Sequence, residues 1–221
     1  VISIQIGAIL AVVVLYWRRL GQIASGVVGR SADGRRLLLV LITAFLPAAL
    51  VGLVLGDTIK DELFGTWPVI VAWFLGGVFL VFWRPRPGTI ELTEFTLRHA
   101  AIIGAAQILA LWPGTSRSLT TIVAALAIGA SMAAAVEFSF LLGLATLSAA
   151  TIYDLAQDGQ EILDVYGWRT PVVGGIVAFV TAAIAVRWLV AFLRTRPLAV
   201  FGWYRMGIAA GTLALLGLGV I

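Results

Sequence analysis

Six apolar stretches constrain the fold of this chain more than any other feature of its sequence. Each is about as long as the 17 to 25 residues that an α-helix needs to cross the hydrocarbon core of a bilayer. A helix satisfies its own backbone hydrogen bonds inside a membrane, where no water can do so. The predicted spans are residues 1–17, 37–55, 67–83, 137–155, 171–193 and 201–221.

The composition also indicates a membrane protein. Of the 221 residues, 61% are hydrophobic and 12% are charged, and the mean hydropathy is +1.06. Because soluble domains are less apolar, we predict an all-α, polytopic integral membrane protein with about six transmembrane helices. The absence of cysteine excludes disulfides and thiol chemistry. The net charge of +4 is spread over short loops, which is too little basic charge for a nucleic-acid surface.

The loops between the spans alternate in charge. Loops 18–36 and 84–99, and the loop after the fifth span, are basic, whereas loops 56–66 and 154–170 are mainly acidic. Because basic loops stay in the cytoplasm, this alternation predicts which side of the membrane each loop faces.

Residues 100–131 do not fit one uninterrupted span, because the polar sequence PGTSRS interrupts two apolar stretches. The loop before this region is basic and the loop after the next span is mainly acidic, so the alternation requires the chain to return to the side from which it entered. Stretches 100–112 and 119–131 would each form about 20 Å of helix, short of the roughly 30 Å core. Pro113 and Gly114 favour a turn. We therefore predict a re-entrant hairpin with its tip near the middle of the membrane.

The predicted tip has the residues of an anion-binding site. Thr115 and Ser116 are favourable N-cap residues for the second half-helix, whose free N–H groups and dipole attract anions. Arg117 adds a planar fork suited to phosphate oxygens, and Ser118 adds a hydroxyl. Burying Arg117 costs about 2.5 to 3.5 kcal/mol on insertion scales unless an anion or acid compensates. A different interpretation is that Arg117 pairs with Glu137 and the elbow is only a break in the helix.

Four segments of the chain carry a family resemblance. They are AQILALWPGTSRS at 106–118, EFSFLLGLATLSAATIYDL at 137–155, WYR at 203–205 and IQIGAILAVVVLYWRRL at 4–20. Together they make the chain similar, over nearly its whole length, to bacterial undecaprenyl pyrophosphate phosphatase, the bacitracin-resistance family.

The resemblance implies a function. It is hydrolysis of undecaprenyl diphosphate to undecaprenyl phosphate and inorganic phosphate, which recycles the lipid carrier for peptidoglycan synthesis and confers bacitracin resistance. The enzyme would lie in the bacterial inner (plasma) membrane among membrane lipids, with its active site facing the outer side, and a homodimer is left open. An alternative is a transporter or flippase for an anionic lipid or solute, because inverted repeats with half-helices also serve carriers.

The resemblance also implies roles for individual residues. Arg117 would bind the diphosphate and stabilise charge as the phosphoanhydride breaks, and the flanking serines would donate hydrogen bonds or supply a nucleophile. The catalytic residues implied are Arg117, Ser116 and Ser118, and the substrate-binding residues are Gly114, Thr115 and Gln107.

The predicted architecture is an inverted repeat in a single membrane domain. Residues 1–99 would be a partial first repeat without its own hairpin, and residues 100–221 the second repeat. The family's acid-rich N-terminal segment, which ends in serines and a histidine, has no counterpart here. We therefore expect either a chain that begins inside a longer protein or a degenerate homologue. The resemblance implies Mg²⁺ or Ca²⁺, with its ligands in that preceding segment.

Other polar residues and two glycine pairs also have more than one interpretation. His99 is expected to be an interfacial loop residue, and Tyr153 with Asp154 either contacts a headgroup or ends a solvated helix. Arg205 is either an interfacial anchor or a second phosphate contact. The glycine pairs at 76–77 and 174–175 predict close helix packing.

Overall fold

Helices account for nearly all the secondary structure of residues 2–86 and 88–220, which are the residues that the computed structural model describes; side chains are described for these except 157–166 and 194. Within these ranges the only β contact is an isolated bridge between Ile90 and Ala130. The helices are α1 (Ile2–Leu15), α2 (Trp17–Val27), α3 (Ala32–Leu63), α4 (Thr66–Phe82), α5 (Leu97–Gln107), α6 (Arg117–Ala127), α7 (Met132–Tyr166), α8 (Arg169–Thr195) and α9 (Ala199–Gly217). The predicted all-α fold is confirmed.

Side-chain caps define where several helices begin. The hydroxyl of Ser31 accepts a hydrogen bond from a backbone N–H in the first turn of α3, and Ser131 does the same for α7. Thr96 and His99 cap α5 reciprocally, since each side chain accepts from the other residue's backbone N–H. Such caps satisfy N–H groups that have no partner within the helix. His99 thus helps to start α5, at the end away from the predicted tip.

All six predicted spans correspond to helices in the described chain. Four of them, α3, α7, α8 and α9, are long and apolar enough to cross a membrane. Helix α4 has 17 residues, and α1 has 14 and is bent by 85° relative to α2. The number of crossings therefore stays a prediction, as does the division into two repeats.

The predicted hairpin is present as two short helices joined by a polar elbow. Helix α5 continues into a 3₁₀ turn at Ile108–Leu111, and α6 follows the elbow formed by residues 112–116. Helix α5 runs beside α3, so that Gly104 meets the backbone of Ala44 and Leu111 reaches Gly52. Since α3 continues to Leu63, the elbow lies alongside a helix and not beyond its end.

The helices pack so that the hairpin lies inside the bundle. Helix α3 packs on α5 and α2, α6 on α7 and α5, α4 on α9, and α1 on α8 and α7. Buried apolar side chains of α3, α5, α6 and α7 meet at the hairpin, including Val40, Ala44, Ile103, Ile122, Phe138 and Leu141. Large apolar side chains of α3, α4 and α8 face outward, including Leu53, Phe82 and Ile184. This distribution suits helices surrounded by lipid.

Glycines allow α4 and α9 to approach closely. A Cβ placed on Gly77 would lie 2.8 Å from the carbonyl oxygen of Gly202, and one placed on Gly202 would lie 2.7 Å from that of Gly77. The glycine pair 174–175 of α8 faces α1, because a Cβ on Gly7 of α1 would collide with the carbonyl oxygen of Gly175. The predicted close packing at both glycine pairs is confirmed.

Candidate active site

The elbow is anchored to α4. Trp112 is extended, as expected of a residue before proline, and its indole Nε1 donates to the carbonyl oxygen of Pro68 at 3.0 Å. Gly114 has φ +89°, and a Cβ there would lie 2.9 Å from the carbonyl oxygen of Val69. Only glycine combines this conformation with so close an approach. The elbow is therefore fixed against the first turns of α4.

Ser116 caps α6. Its backbone is extended, and its hydroxyl accepts a hydrogen bond from the N–H of Leu119 at 3.4 Å. The N–H of Thr115 is used in the turn, where it donates to the carbonyl oxygen of Trp112 at 3.0 Å. The predicted N-cap is confirmed at Ser116, so α6 begins at Arg117, two residues before its predicted start at 119. The positive end of α6 lies at the elbow.

Two buried hydroxyls join α6 to α7. The hydroxyls of Thr121 and Ser139 are 2.7 Å apart. Each also lies within hydrogen-bond distance of the carbonyl oxygen of Ser118, at 3.1 and 3.3 Å. Sequence reasoning missed these two residues, although hydroxyls within apolar helices commonly bond across a helix interface. Their hydrogen bonds bring the first turn of α6 against α7.

Arg117 lies against α7 and has no carboxylate partner among the described side chains. Its Nη1 donates to the hydroxyl of Thr146, which donates to the carbonyl oxygen of Gly143 at 3.0 Å. A Cβ on Gly143 would lie 3.3 Å from Nη2 of Arg117, so the glycine leaves space for the guanidinium. The ion pairs among the described side chains do not include Arg117. Its remaining N–H groups are therefore available to a ligand.

A cavity of about 560 Å³ opens beside Arg117. Its polar lining consists of Arg117, Gln107, Thr146 and Tyr153. Gln107 is only 2% exposed, and its amide oxygen has no hydrogen-bond partner in the described part of the chain. The other walls are apolar or glycine, among them Phe45, Ala48, Leu53, Leu111, Ala149 and Ala150. One guanidinium in a mostly apolar cavity suits an anionic group attached to an apolar chain.

Comparison with known proteins identifies the family. Residues 1–211 match the family model described as "Bacitracin resistance protein BacA". The chain belongs to the BacA family. Since the match extends from the first helix into α9, BacA membership applies to the whole bundle and not only to the hairpin.

Curated relatives support the assignment to the BacA family. The chain is 45% identical over 216 residues to an undecaprenyl-diphosphatase of Sorangium cellulosum, covering 95% of this chain and 70% of the relative. It is 41% identical to undecaprenyl-diphosphatase 1 of Acinetobacter baylyi, covering 98% of this chain and 79% of the relative. It is 40% identical to undecaprenyl-diphosphatase 2 of Rhodospirillum rubrum, covering 100% of this chain and 81% of the relative.

The structure separates the predicted site residues into three groups. Gln107 and Arg117 line the cavity beside α7. Ser116 and Ser118 line a second cavity of about 180 Å³, bounded by α8 and α9 and otherwise mostly apolar. Gly114 and Thr115 lie in the turn between α5 and α6. The roles predicted for these residues stay predictions.

The alternative pairing of Arg117 with Glu137 is wrong. Glu137 pairs with Arg19 of α2, with Oε1 2.6 Å from Nε. Glu137 lies in the second turn of α7, whereas Arg117 of α6 meets α7 at Gly143 and Thr146, about two turns later. Arg117 therefore contacts α7 at a different level from Glu137.

Replacing Glu137 with glutamine is expected to lower the melting temperature of the detergent-solubilised protein and to leave kcat unchanged. Arg19 would keep an acceptor but lose the opposite charge, which contributes up to about 1 kcal/mol in a partly exposed pair. Asp57→Asn is the matched control, because Asp57 and Lys60 are 3.8 Å apart and mostly exposed. A loss of activity at an unchanged melting temperature would contradict this structural role.

Of the two interpretations of Arg205, that of an interfacial anchor is wrong. Its side chain is only 9% exposed and lies at the edge of the second cavity with Tyr204. A role as a second phosphate contact stays a prediction. Tyr153, in contrast, lines the cavity of Arg117.

The described part of the cavity does not fit a divalent cation. Mg²⁺ and Ca²⁺ prefer several oxygen ligands, usually including carboxylates, and the polar lining contains amide and hydroxyl groups with one guanidinium. Among the described side chains, which leave out those of 157–166 and 194, no group of three or more histidine, cysteine or acidic residues is arranged to hold a metal. The expectation of Mg²⁺ or Ca²⁺ therefore depends on the family resemblance alone.

Proposed function

We propose that this member of the BacA family hydrolyses undecaprenyl diphosphate to undecaprenyl phosphate and inorganic phosphate. The relatives named undecaprenyl-diphosphatase support this function. The structural observation that carries it is Arg117, which has no carboxylate partner among the described residues and lines a largely apolar cavity at the start of α6. The product would return to peptidoglycan synthesis, and removal of the diphosphate would confer bacitracin resistance.

In the proposed reaction, Arg117 binds diphosphate oxygens with two parallel N–H groups. Water attacks the terminal phosphorus, a new P–O bond forms, and the bridging P–O bond breaks. The negative charge that develops on the leaving phosphate oxygen is stabilised by the guanidinium and by the positive end of α6. The proton of the attacking water leaves to solvent. We assign the attack to water because Ser116 and Ser118 line the second cavity.

The proposed location is the bacterial inner membrane, with the cavity reached from the outer side. The basic loops support this orientation, because they would keep the residues before α3 and before α5 in the cytoplasm. In that orientation α3 and the hairpin helix α5, which run in the same direction, would both begin at the cytoplasmic side. The elbow would then lie away from the cytoplasmic surface.

The test is phosphate release from undecaprenyl diphosphate by the purified protein in detergent, with Mg²⁺ and with a chelator. The proposal expects release that depends on Arg117 and stops on chelation. Transport of the lipid in vesicles without phosphate release would instead favour a carrier. Release that survives chelation would reject the divalent-cation requirement but not the hydrolysis.

Replacing Gln107 with leucine is expected to lower activity without lowering stability. A buried amide oxygen without a partner costs about 1 to 3 kcal/mol, so its removal should not lower the free energy of unfolding. Activity should fall about tenfold in kcat/KM, because the side-chain amide can no longer donate a hydrogen bond to the diphosphate. Gln5→Leu is the control, since Gln5 accepts from Thr151 at 3.3 Å outside the cavity lining. Unchanged kcat/KM in Gln107→Leu would remove Gln107 from the site.

A further inference from the structure

Arg205 connects α9 to two other parts of the bundle. Its Nη2 donates to the carbonyl oxygen of Ala72 in α4 at 2.9 Å and to that of Gly114 in the elbow at 3.0 Å. The side chain is 9% exposed. One guanidinium nitrogen thus joins α4 and the hairpin tip.

The surroundings of Arg205 are shaped to hold it in this position. A Cβ on Gly76 would lie 2.7 Å from Nη2 and 3.2 Å from Cζ of Arg205, so a larger residue would displace the guanidinium. The close approach of Gly77 and Gly202 brings α9 near enough to α4 for the side chain to reach the elbow. The carbonyl of Gly114 lies in a turn, and buried turn carbonyls need a partner from outside the helices.

Stability alone does not account for a buried arginine here. Among the residues whose side chains are described, none forms an ion pair with Arg205, and none accepts a hydrogen bond from its buried Nε. A buried cation compensated only by backbone carbonyls is costly within a membrane protein. Arg205 instead holds the carbonyl group of Gly114 in place, and Gly114 lies three residues before Arg117.

We propose that Arg205 is a positioning residue that holds the elbow and thereby sets the place of Arg117 in its cavity. The inference rests on the proposed hydrolysis. Arg205 acts through the backbone of Gly114 and not through the substrate. Because misplacing a catalytic group by about 1 Å can cost 10²-fold in rate, a small movement of the elbow is enough to lower activity.

The first test is a double-mutant cycle of Arg205→Gln and Arg117→Ala. Arg205→Gln alone is expected to lower kcat/KM by about 10- to 100-fold, and Arg205→Lys, which can reach one carbonyl, should retain intermediate activity. In the Arg117→Ala background, Arg205→Gln should change the residual rate by less than about threefold, because coupled residues are non-additive. Arg187→Gln, at an exposed arginine of α8, is the control. Additive effects, or normal activity in Arg205→Gln, would overturn the proposal.

The second test is hydrogen exchange of the elbow amides, which does not depend on hydrolysis. The amides of residues 114–118 should exchange faster in Arg205→Gln than in the wild-type protein and Arg187→Gln. If Arg205→Gln does not fold, Gly76→Ala replaces it, with Gly207→Ala in α9 as its control, since a Cβ on Gly207 meets nothing within 4 Å. Unchanged exchange in the folded variant would overturn the proposal. Absence of phosphate release from the wild-type protein would instead reject the hydrolysis.

Discussion

Arg117→Ala is expected to lower kcat for undecaprenyl diphosphate hydrolysis by about 10²- to 10³-fold, the usual cost of removing a group that stabilises transition-state charge. The guanidinium faces the cavity, has no carboxylate partner among the described residues, and lies at the positive end of α6. No other cationic side chain lines the described part of this cavity. Phosphate release from purified protein in detergent measures the effect.

Arg117→Lys distinguishes bidentate hydrogen bonding to the phosphate from the effect of positive charge alone. Lysine keeps the charge but cannot make two parallel hydrogen bonds to phosphate oxygens, so most of the activity should still be lost. It should also weaken the contact with Thr146, which depends on the reach of Nη1. Arg187→Lys in α8 serves as the control. Near-normal turnover in Arg117→Lys would contradict bidentate binding of the diphosphate.

Gly114→Ala is expected to lower both activity and the free energy of unfolding. The residue has φ +89°, and the new Cβ would lie 2.9 Å from the carbonyl oxygen of Val69 and 3.2 Å from the Cβ of Ala72. The left-handed conformation alone costs an alanine about 1 to 2 kcal/mol. Relief of the contact with α4 requires the elbow to move, and this movement would displace Arg117. Thermal unfolding and phosphate release together measure both effects.

Gly29→Ala separates the cost of the left-handed backbone conformation from the effect of the close contact with α4. Gly29 has φ +76°, and a Cβ there meets nothing within 4 Å. It should therefore show the conformational cost alone, with kcat unchanged. If Gly114→Ala lost no more activity than Gly29→Ala, the close approach of the elbow to α4 would not matter for function.

The hairpin shows what local sequence signals can predict. Two apolar stretches too short to span a membrane, separated by PGTSRS, predicted two short helices and an elbow, and Ser116 was correctly predicted as a cap. The predicted boundaries differ by a few residues because caps determine them: Thr96 starts α5 before residue 100, and Ser116 starts α6 before residue 119. These signals act within a few residues of one another.

The partners of the charged residues could not be predicted in this way. Glu137 was weighed as a partner of Arg117, yet it pairs with Arg19, which is 118 residues away in sequence. The contact of Arg117 with Thr146 and that of Arg205 with Gly114 also join distant segments. A charged residue in the sequence shows that a partner is needed but not which helix supplies it.

By itself, the sequence determined that the chain is helical and apolar enough for a membrane, and that it bends at PGTSRS. It also predicted that the arginine in this bend binds phosphate. These conclusions depend on hydropathy, helix length and turn chemistry, which are local properties. Only the tertiary structure decided that Arg117 and Gln107 share one cavity while Ser116 and Ser118 line another. The reason is that successive residues at the start of a helix point in different directions, and the neighbouring helix that each one meets depends on how the bundle packs.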